Sequence, residues 1–234
     1  MSIGKAVGSV VRALKHPIER MPGWLTGWYD ENIMRGLFFQ WYDDTAAEIV
    51  SDMKEGDILD VCTGAGYIPI FLSIKAPAVR IRGVDLAAGM IRRAGIHARE
   101  FNAGNNLRFD VADAAHLPFH DRSFDMVINT MAVHCFRKPV IPLDEMYRVL
   151  KDNGKVWLYD IHPYRADDPG DRAMLQKIRT LTPWFIRPFI TEKSMSGSYS
   201  REEIEGFFRE SKFKVSCFSE NGIFYKFEAV KQGA

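Results

Sequence analysis

Short β-rich segments alternate with helical ones from Asp57 onward, and this alternation restricts the fold more than any other feature of the sequence. Such an order predicts a mostly parallel sheet with helices on both faces, the doubly wound α/β arrangement. The predicted strands are 58–62, 79–85, 107–110, 124–130 and 155–161, and the predicted helices are 67–75, 87–101 and 140–150. In a doubly wound sheet, ligands bind outside the carboxyl ends of the strands.

The flanking sequence divides the chain into two parts. Residues 1–55 are predicted to form an N-terminal helical segment, and residues 56–234 are predicted to form one domain. Within that domain, residues 162–198 are rich in proline, aromatic and charged residues and contain a helical piece. We interpret them as an insertion that covers the end of the sheet, where loops carry function.

The last part of the sequence predicts a helix and a hairpin. Ser200, followed three residues later by Glu203, is typical of a capping box at the start of a helix. Asn221-Gly222 separates two β-rich segments and suits the left-handed conformations of a type I′ turn. The sheet is therefore predicted to end in an antiparallel hairpin.

Charge and cysteine content exclude several classes of protein. The chain has 234 residues, with 31 lysines and arginines against 30 aspartates and glutamates, so we expect no nucleic-acid partner. Cys62, Cys135 and Cys217 are far apart and indicate neither a disulfide framework nor a zinc module, which fits a reducing cytoplasm. The longest uncharged run, 61–74, is shorter than the roughly 18 apolar residues of a membrane span.

The first twenty residues are basic and predict an amphipathic helix. They lack the apolar block and the cleavage site of a secretory signal, so we expect the mature protein to retain them. Packing over the protein's own core or cleft is the favoured interpretation, and weak contact with a membrane surface or a partner is the alternative. The apolar residues at helical spacing are Ile3, Val7, Val10, Val11, Leu14 and Ile18.

The strongest local signal is the segment 58–67, where a buried strand enters a glycine-containing turn and then a helix. Gly64 and Gly66 tolerate positive φ and let the backbone approach a ligand closely. A nicotinamide dinucleotide site is an alternative interpretation of this pattern. However, Pro69 stands where that fingerprint has its third glycine, and Asp60 in the strand would repel a phosphate. A cationic or zwitterionic ligand is therefore favoured.

Two more aspartates follow successive predicted strands. Asp85 ends the second strand, where a carboxylate can accept hydrogen bonds from both hydroxyls of a ribose. Asp113 follows the third strand and could accept a hydrogen bond from an exocyclic adenine amine. Each aspartate alone is equally well explained as a helix cap or a loop residue, but together with Asp60 they indicate a nucleoside ligand.

Five blocks carry a resemblance to a known family: 59–66, 83–85, 113–119, 123–127 and 145–151. Together they resemble the class I S-adenosylmethionine-dependent methyltransferases, in particular the small-molecule branch that includes the ubiquinone and menaquinone biosynthesis methyltransferases. The resemblance spans roughly residues 57–160, with weaker similarity at Tyr29-Asp30 and in the carboxyl-terminal helix and hairpin. It is specific for fold and cofactor and says little about the substrate.

This resemblance implies a Rossmann-like, seven-stranded, mostly parallel sheet that holds S-adenosylmethionine across the strand ends. Cys62 departs from the family, which usually has glycine at this position. The implied cofactor-binding residues are Asp60, Thr63, Gly64 and Gly66 for the methionine portion, Asp85 for the ribose, Asp113 and Ala114 for the adenine, the backbone near Asn129 for the amino group, and also Tyr29, Cys62 and Leu86.

Methyl transfer from a sulfonium is an in-line displacement, and its leaving thioether needs no protonation. Catalysis can therefore rest on positioning and exclusion of water, and a general base is optional. The candidate bases are His134 after the fourth strand and His162 after the fifth. No metal site is expected, because Asp160, His162 and Cys135 match no ligand template. The remaining histidines, His16, His97, His116 and His120, are interpreted as surface or loop residues.

The predicted lid is rich in aromatic residues and favours a small, apolar or aromatic methyl acceptor; a quinone precursor is compatible. Two alternatives remain open: a methyltransferase-like module that binds a cofactor or a partner without turnover, and a nucleotide-dependent oxidoreductase. The oligomeric state is also left open. The aromatic residues of the lid are Trp24, Trp28, Tyr29, Tyr164, Trp184 and Phe185.

Overall fold

The computed structural model describes residues 27–184, 187 and 197–232. The predicted amphipathic helix of the first twenty residues lies outside these residues, as do Trp24, Phe185 and part of the predicted insertion. The contact of that helix with a membrane surface therefore stays a prediction. Within the described part of the chain, every helix is too short or too polar to cross a bilayer.

Seven strands form one sheet in the order β3-β2-β1-β4-β5-β7-β6. Neighbouring strands are parallel except at β7, which runs antiparallel to both β5 and β6. This arrangement confirms the predicted mostly parallel sheet with an antiparallel carboxyl-terminal hairpin. The strands are β1 (Gly56–Val61), β2 (Val79–Asp85), β3 (Leu107–Val111), β4 (Phe124–Thr130), β5 (Leu150–Ile161), β6 (Lys214–Asn221) and β7 (Phe224–Val230).

Helices cover both faces of the sheet, as the alternating pattern predicts. A π-helical turn at Asp30–Met34 leads directly into α1, and the predicted capping box at Ser200 and Glu203 is present at the start of α6. The helices are α1 (Arg35–Asp52), α2 (Tyr67–Lys75), α3 (Ala88–Glu100), α4 (Val140–Val149), α5 (Pro169–Leu181) and α6 (Arg201–Glu210).

Two apolar clusters correspond to the two faces. Helices α1 and α2 pack with Ile58 and Ile128, whereas α4 and α6 pack with Leu59 and Val127. Because successive side chains of a strand point to opposite faces, adjacent residues such as Ile58 and Leu59 belong to different clusters. All four residues are fully buried.

Helix α1 also connects the beginning of the domain to its last strand. The rings of Trp41 and Phe224 stack at 4.5 Å, and Lys226 Nζ lies 2.7 Å from Glu48 Oε1. Glu48 also accepts a hydrogen bond of 3.1 Å from the Tyr159 hydroxyl in β5. These contacts fix α1 against β5 and β7.

Two local predictions were wrong in detail. Strand β5 begins at Leu150 rather than at residue 155, and Asn153, with φ 63°, lies in an irregular stretch of this strand. Backbone pairing between Asn153 and Lys231 keeps this stretch in the sheet. The hairpin loop is Gly222-Ile223, with positive φ only at Gly222, which matches a type II′ turn rather than the predicted type I′.

Candidate functional site

A cavity of about 880 Å³ opens at the carboxyl ends of the central strands. The turn after β1 and the residues that follow β2, β3 and β4 line it, and Tyr29, Met34 and Tyr42 form a wall beside them. The structure brings together in this lining nine of the predicted cofactor-binding residues: Tyr29, Asp60, Cys62, Thr63, Gly64, Asp85, Leu86, Asp113 and Ala114.

The turn after β1 uses left-handed backbone at three positions: Cys62 (φ 62°), Gly64 (φ 55°) and Gly66 (φ 80°). Left-handed backbone costs a non-glycine residue roughly 1–2 kcal/mol. This explains why the resembling family usually has glycine where this chain has Cys62. The turn is nevertheless well fixed, because Thr63 N donates to Val84 O at 2.9 Å and Gly66 N donates to Thr63 O at 3.0 Å.

Gly66 packs against Phe109 and Ala94 on the side of the turn away from the cavity, and it is not part of the cavity lining. A Cβ at this position would lie 2.6 Å from Phe109 Cζ and 2.8 Å from Ala94 Cβ. Gly64 faces the cavity, where a Cβ would meet only the flexible end of Met34 at 3.0 Å. The two glycines are therefore required for different reasons, close packing at Gly66 and access to the cavity at Gly64.

Asp85 joins the ends of β1 and β2. Its Oδ2 accepts a hydrogen bond of 2.9 Å from Gly64 N, and its Oδ1 accepts one of 2.8 Å from Ala87 N. Each carboxylate oxygen has a further lone pair, so Asp85 can still accept from a ligand. The neighbouring Leu86 is partly exposed and adds apolar surface to the same part of the cavity.

Asp60 is a buried carboxylate on the cavity floor, with 1% of its surface exposed. The pKa of Asp60 is raised to about 7, mainly by burial; the Thr63 side chain opposes the shift, and the charge of Asp85 contributes to it. Among the described residues, Asp60 Oδ1 has no hydrogen-bond partner. Because a buried, unpaired carboxylate is costly, this position favours a cationic ligand group.

The remaining predicted cofactor residues surround this floor. Asp113 is exposed at the cavity rim and accepts a hydrogen bond of 2.8 Å from Ala115 N, while Ala114 is buried beside it. Asn129 is fully buried at the end of β4, outside the lining, and donates to Val61 O at 2.7 Å. Its role is thus to join β4 to β1 directly behind the turn.

His134 pairs with a buried carboxylate at the end of β5. Its ring Nδ1 lies 2.7 Å from Asp160 Oδ1, and its backbone N donates to Asp160 Oδ2 at 3.0 Å. Burial lowers the pKa of His134, but the Asp160 charge and hydrogen bond outweigh this effect and hold the pKa well above its usual value. His134 lies next to the cavity-lining Cys135 without being part of the lining itself.

His162, the second candidate base, lies away from the cavity lining. Its Nε2 is 3.2 Å from Gly222 O and 2.7 Å from an Arg165 nitrogen, and it is 3.6 Å from Asp171 Oδ1. These contacts connect β5, α5 and the hairpin loop. The structure therefore separates the two histidines that the sequence placed at equivalent strand ends.

Several parts of the lining were missed by sequence reasoning, because they depend on how distant elements dock. Of the aromatic lid residues, Tyr29 lines the cavity, whereas Trp28, Tyr164 and Trp184 are outside its lining. The missed lining residues include Met34, Tyr42, Tyr67, Met131, Phe136, Arg137, Lys138, Ile141 and Pro142.

The interpretation of His97 as a surface or loop residue was wrong. His97 is 2% exposed and belongs to α3. Its spacing from the buried Met90 and Ala94, seven and three residues earlier, is that of one helix face and could have revealed it. His116 and His120 are exposed, as predicted.

Together, the sheet order, the single antiparallel strand and the acidic cavity at the strand ends define the class I S-adenosylmethionine-dependent methyltransferase fold. A family model described as a methyltransferase domain matches residues 58–154. In fold, and in sequence over residues 58–154, this chain is therefore similar to the class I S-adenosylmethionine-dependent methyltransferases.

Curated relatives and solved structures show the same similarity. The chain is 30% identical over 150 residues to a demethylmenaquinone methyltransferase of Porphyromonas gingivalis, covering 62% of this chain and 60% of the relative. It is 28% identical to a demethylmenaquinone methyltransferase of Thermotoga maritima, covering 76% of this chain and 80% of the relative. The chain thus spans less than two thirds of the Porphyromonas relative.

Among solved structures, a SAM-dependent methyltransferase from Aquifex aeolicus superposes with a TM-score of 0.67 at 18% identity, covering 90% of this chain and 98% of that one. A magnesium protoporphyrin IX methyltransferase from Synechocystis, solved with bound SAH, superposes with a TM-score of 0.59 at 21% identity, covering 83% of each chain. Because these two structures are only 18% and 21% identical to this chain, they show similarity of fold alone.

Proposed function

We propose that this protein transfers the methyl group of S-adenosylmethionine to a small, apolar or aromatic acceptor of the quinone-precursor type. The observation that carries this proposal is the division of the cavity lining. Carboxylates occupy the part formed by β1, β2 and β3, whereas Met131, Phe136 and Ile141 provide apolar surface after β4. The names of the two demethylmenaquinone methyltransferase relatives support an acceptor of this class.

The residues present fit the cofactor. The unpaired Asp60 oxygen suits the cationic end of the methionine portion, and Gly64 leaves its backbone accessible there. Asp85 retains acceptor capacity for ribose hydroxyls, and Asp113 with Ala114 borders the space for the adenine. When bound, the sulfonium supplies an electrophilic methyl group. Its transfer breaks one carbon–sulfur bond and forms one bond to the acceptor.

His134 is the favoured candidate for accepting the acceptor's proton. Asp160 accepts from Nδ1–H, which leaves Nε2 as the basic nitrogen and fixes the orientation of the ring. His162 is less suited, because its Nε2 contacts Gly222 and Arg165 and its Nδ1 contacts Pro163 O, all outside the cavity lining. Removing a proton from a quinol hydroxyl would make the ring more nucleophilic toward the methyl group.

The test combines binding with turnover. Purified protein is incubated with methyl-labelled S-adenosylmethionine and a panel of reduced naphthoquinones, phenols and amines, and labelled product is extracted. We expect product with the reduced naphthoquinones and none with Asp85→Ala. Binding of S-adenosylhomocysteine without product across the panel would favour a binding module. A response to NADH alone would favour an oxidoreductase.

A further inference from the structure

A buried ionic cluster lies directly behind the turn after β1. Asp30 is fully buried, and its Oδ1 accepts a hydrogen bond of 2.9 Å from the Tyr67 hydroxyl. The Arg93 guanidinium bonds to its Oδ2, and His97 Nε2 lies 3.2 Å from the same oxygen. The other ring nitrogen of His97, Nδ1, lies 3.1 Å from the backbone oxygen of Ala65. His97 therefore spans the distance between Asp30 and the turn.

The two contacts of His97 determine its charge. A backbone carbonyl only accepts hydrogen bonds, so Nδ1 must carry a hydrogen to bond Ala65 O. The partners of Asp30 lower its pKa, and an ionised carboxylate also only accepts hydrogen bonds, so Nε2 must carry a hydrogen as well. A histidine with hydrogens on both ring nitrogens is the imidazolium cation.

The cluster has the metal-ligand residue types but not the electrostatics of a metal site. Asp30, Glu31 and His97 place candidate ligand atoms within 4.8 Å of one another. The Arg93 guanidinium, however, bonds to both Asp30 and Glu31 at this place. A cation already compensates the carboxylates, so the cluster is an ion-pair network.

We propose that His97 is a positioning residue which holds the turn between Gly64 and Gly66 in its ligand-binding conformation only as an imidazolium, so that cofactor affinity falls when His97 loses its proton. Loss of that proton removes one of its two contacts and releases either Ala65 or Asp30. The inference rests on the proposed function, because it concerns binding of the cofactor at this turn. It adds a control of that binding by a side chain outside the cavity lining.

The surroundings make His97 the group that titrates in this cluster. It is faced by Asp30 and Glu31 from the turn before α1, by Arg93 from its own helix and by the stacked ring of Tyr67 from α2. Burial lowers the pKa of His97, but the hydrogen bond and charge of Asp30 raise it above the usual value. Arg93 stays charged, and the pKa of Asp30 is lowered by its partners despite its burial. Deprotonation of His97 therefore falls on the alkaline side of its ordinary range.

The test measures S-adenosylhomocysteine affinity by calorimetry between pH 6 and pH 9.5 for the wild-type protein and His97→Gln. The ligand's own amine also ionises in this range, but it affects both dissociation constants equally. The ratio of the two constants at each pH is therefore independent of it. We expect roughly tenfold weaker binding by the variant near neutral pH, which corresponds to about 1.4 kcal/mol, near the lower end of the contribution of a charged hydrogen bond. The ratio should approach one at the alkaline end. The matched control is His120→Gln, an exposed histidine outside the cluster, whose ratio should stay near one throughout.

A ratio that does not change with pH while the wild type binds would overturn this inference and leave the proposed function intact. Failure of the wild type to bind at any pH would overturn both.

If His97→Gln does not fold, Asp30→Asn serves as the second variant, and its alkaline loss of affinity should begin at lower pH. Imidazole ¹⁵N shifts of the wild-type protein supply a readout that needs no variant. Two protonated nitrogens at His97 at pH 7 are expected, and a neutral ring would contradict the proposal.

Discussion

The Asp85 carboxylate accepts a hydrogen bond of 2.9 Å from the backbone N–H of Gly64, a residue 21 positions earlier in the chain. This bond joins the ends of two parallel strands at the point where a ligand must enter. Because Asp85 also accepts from Ala87 N at 2.8 Å, one side chain fixes both the turn after β1 and the start of α3. Asp85 thus organises this end of the cavity through its two backbone hydrogen bonds.

Asp85→Ala should abolish ligand-induced stabilisation. At a ligand concentration of about 100 times the dissociation constant, binding raises the free energy of unfolding by roughly 2.7 kcal/mol. For a domain of this size, this raises Tm by an amount on the order of 5–10 °C. Thermal unfolding with and without S-adenosylhomocysteine measures this difference for each variant. The matched control, Asp110→Ala, removes an exposed carboxylate that pairs with Arg82 outside the cavity lining and should keep the full shift. An unchanged shift in Asp85→Ala would contradict the assigned role.

Asp60 should make the ligand-free protein less stable as pH rises. Burial holds its pKa at about 7 in the folded protein, against an ordinary value of 3.8. Between these values the folded state binds a proton that the unfolded state has lost, so unfolding free energy declines as pH rises from about 4 to 7. Asp60→Asn should remove this decline and be more stable than the wild type above pH 7, by an amount on the order of a few kcal/mol. Denaturant titrations across this pH range test the prediction. An equal dependence of unfolding free energy on pH in both proteins would refute it.

Cys62 should tolerate replacement by glycine far better than by valine. With φ at 62°, a β-branched side chain is strained, whereas glycine adopts this conformation freely. We expect Cys62→Gly to stay within about 1 kcal/mol of the wild type and Cys62→Val to lose more than about 1 kcal/mol. Chemical denaturation of the three proteins provides the comparison. A valine variant as stable as the glycine variant would show that the turn adapts.

His134 should control the alkaline rise of the methyl-transfer rate. The Asp160 charge holds the pKa of His134 well above its ordinary value, so the neutral base becomes available only as pH rises above neutrality. Asp160→Asn should lower the pKa of His134, so the methyl-transfer rate should begin to rise at lower pH. His134→Gln should lower kcat by roughly 10²-fold or more. Rates at saturating cofactor separate this effect from cofactor affinity. Retention of the wild-type pH profile in Asp160→Asn would exclude the pair from proton transfer.

The positions of the acidic site residues follow from the sequence, whereas those of their partners do not. Asp60, Asp85 and Asp113 belong to or follow successive strands, and the carboxyl ends of parallel strands meet at one edge of a sheet. The pairing of His134 with Asp160 depends on a short 3₁₀ turn at Val133–Cys135, which no sequence period indicates. The burial of His97 follows from its helix face, but its pairing with Asp30, 67 residues earlier, lies beyond the reach of helical periodicity.

The contacts of α1 have a consequence for the order in which the chain acquires its structure. Glu48 pairs with Lys226, 178 residues later, and Trp41 stacks on Phe224. At a synthesis rate of about 5–20 residues per second, roughly 10–40 s separate the emergence of these partners. During that time the cavity wall formed by Tyr42 lacks the strand that holds its helix in place. We therefore expect a ribosome-bound chain that ends before residue 224 to bind the cofactor poorly, even though its entire glycine turn has been made.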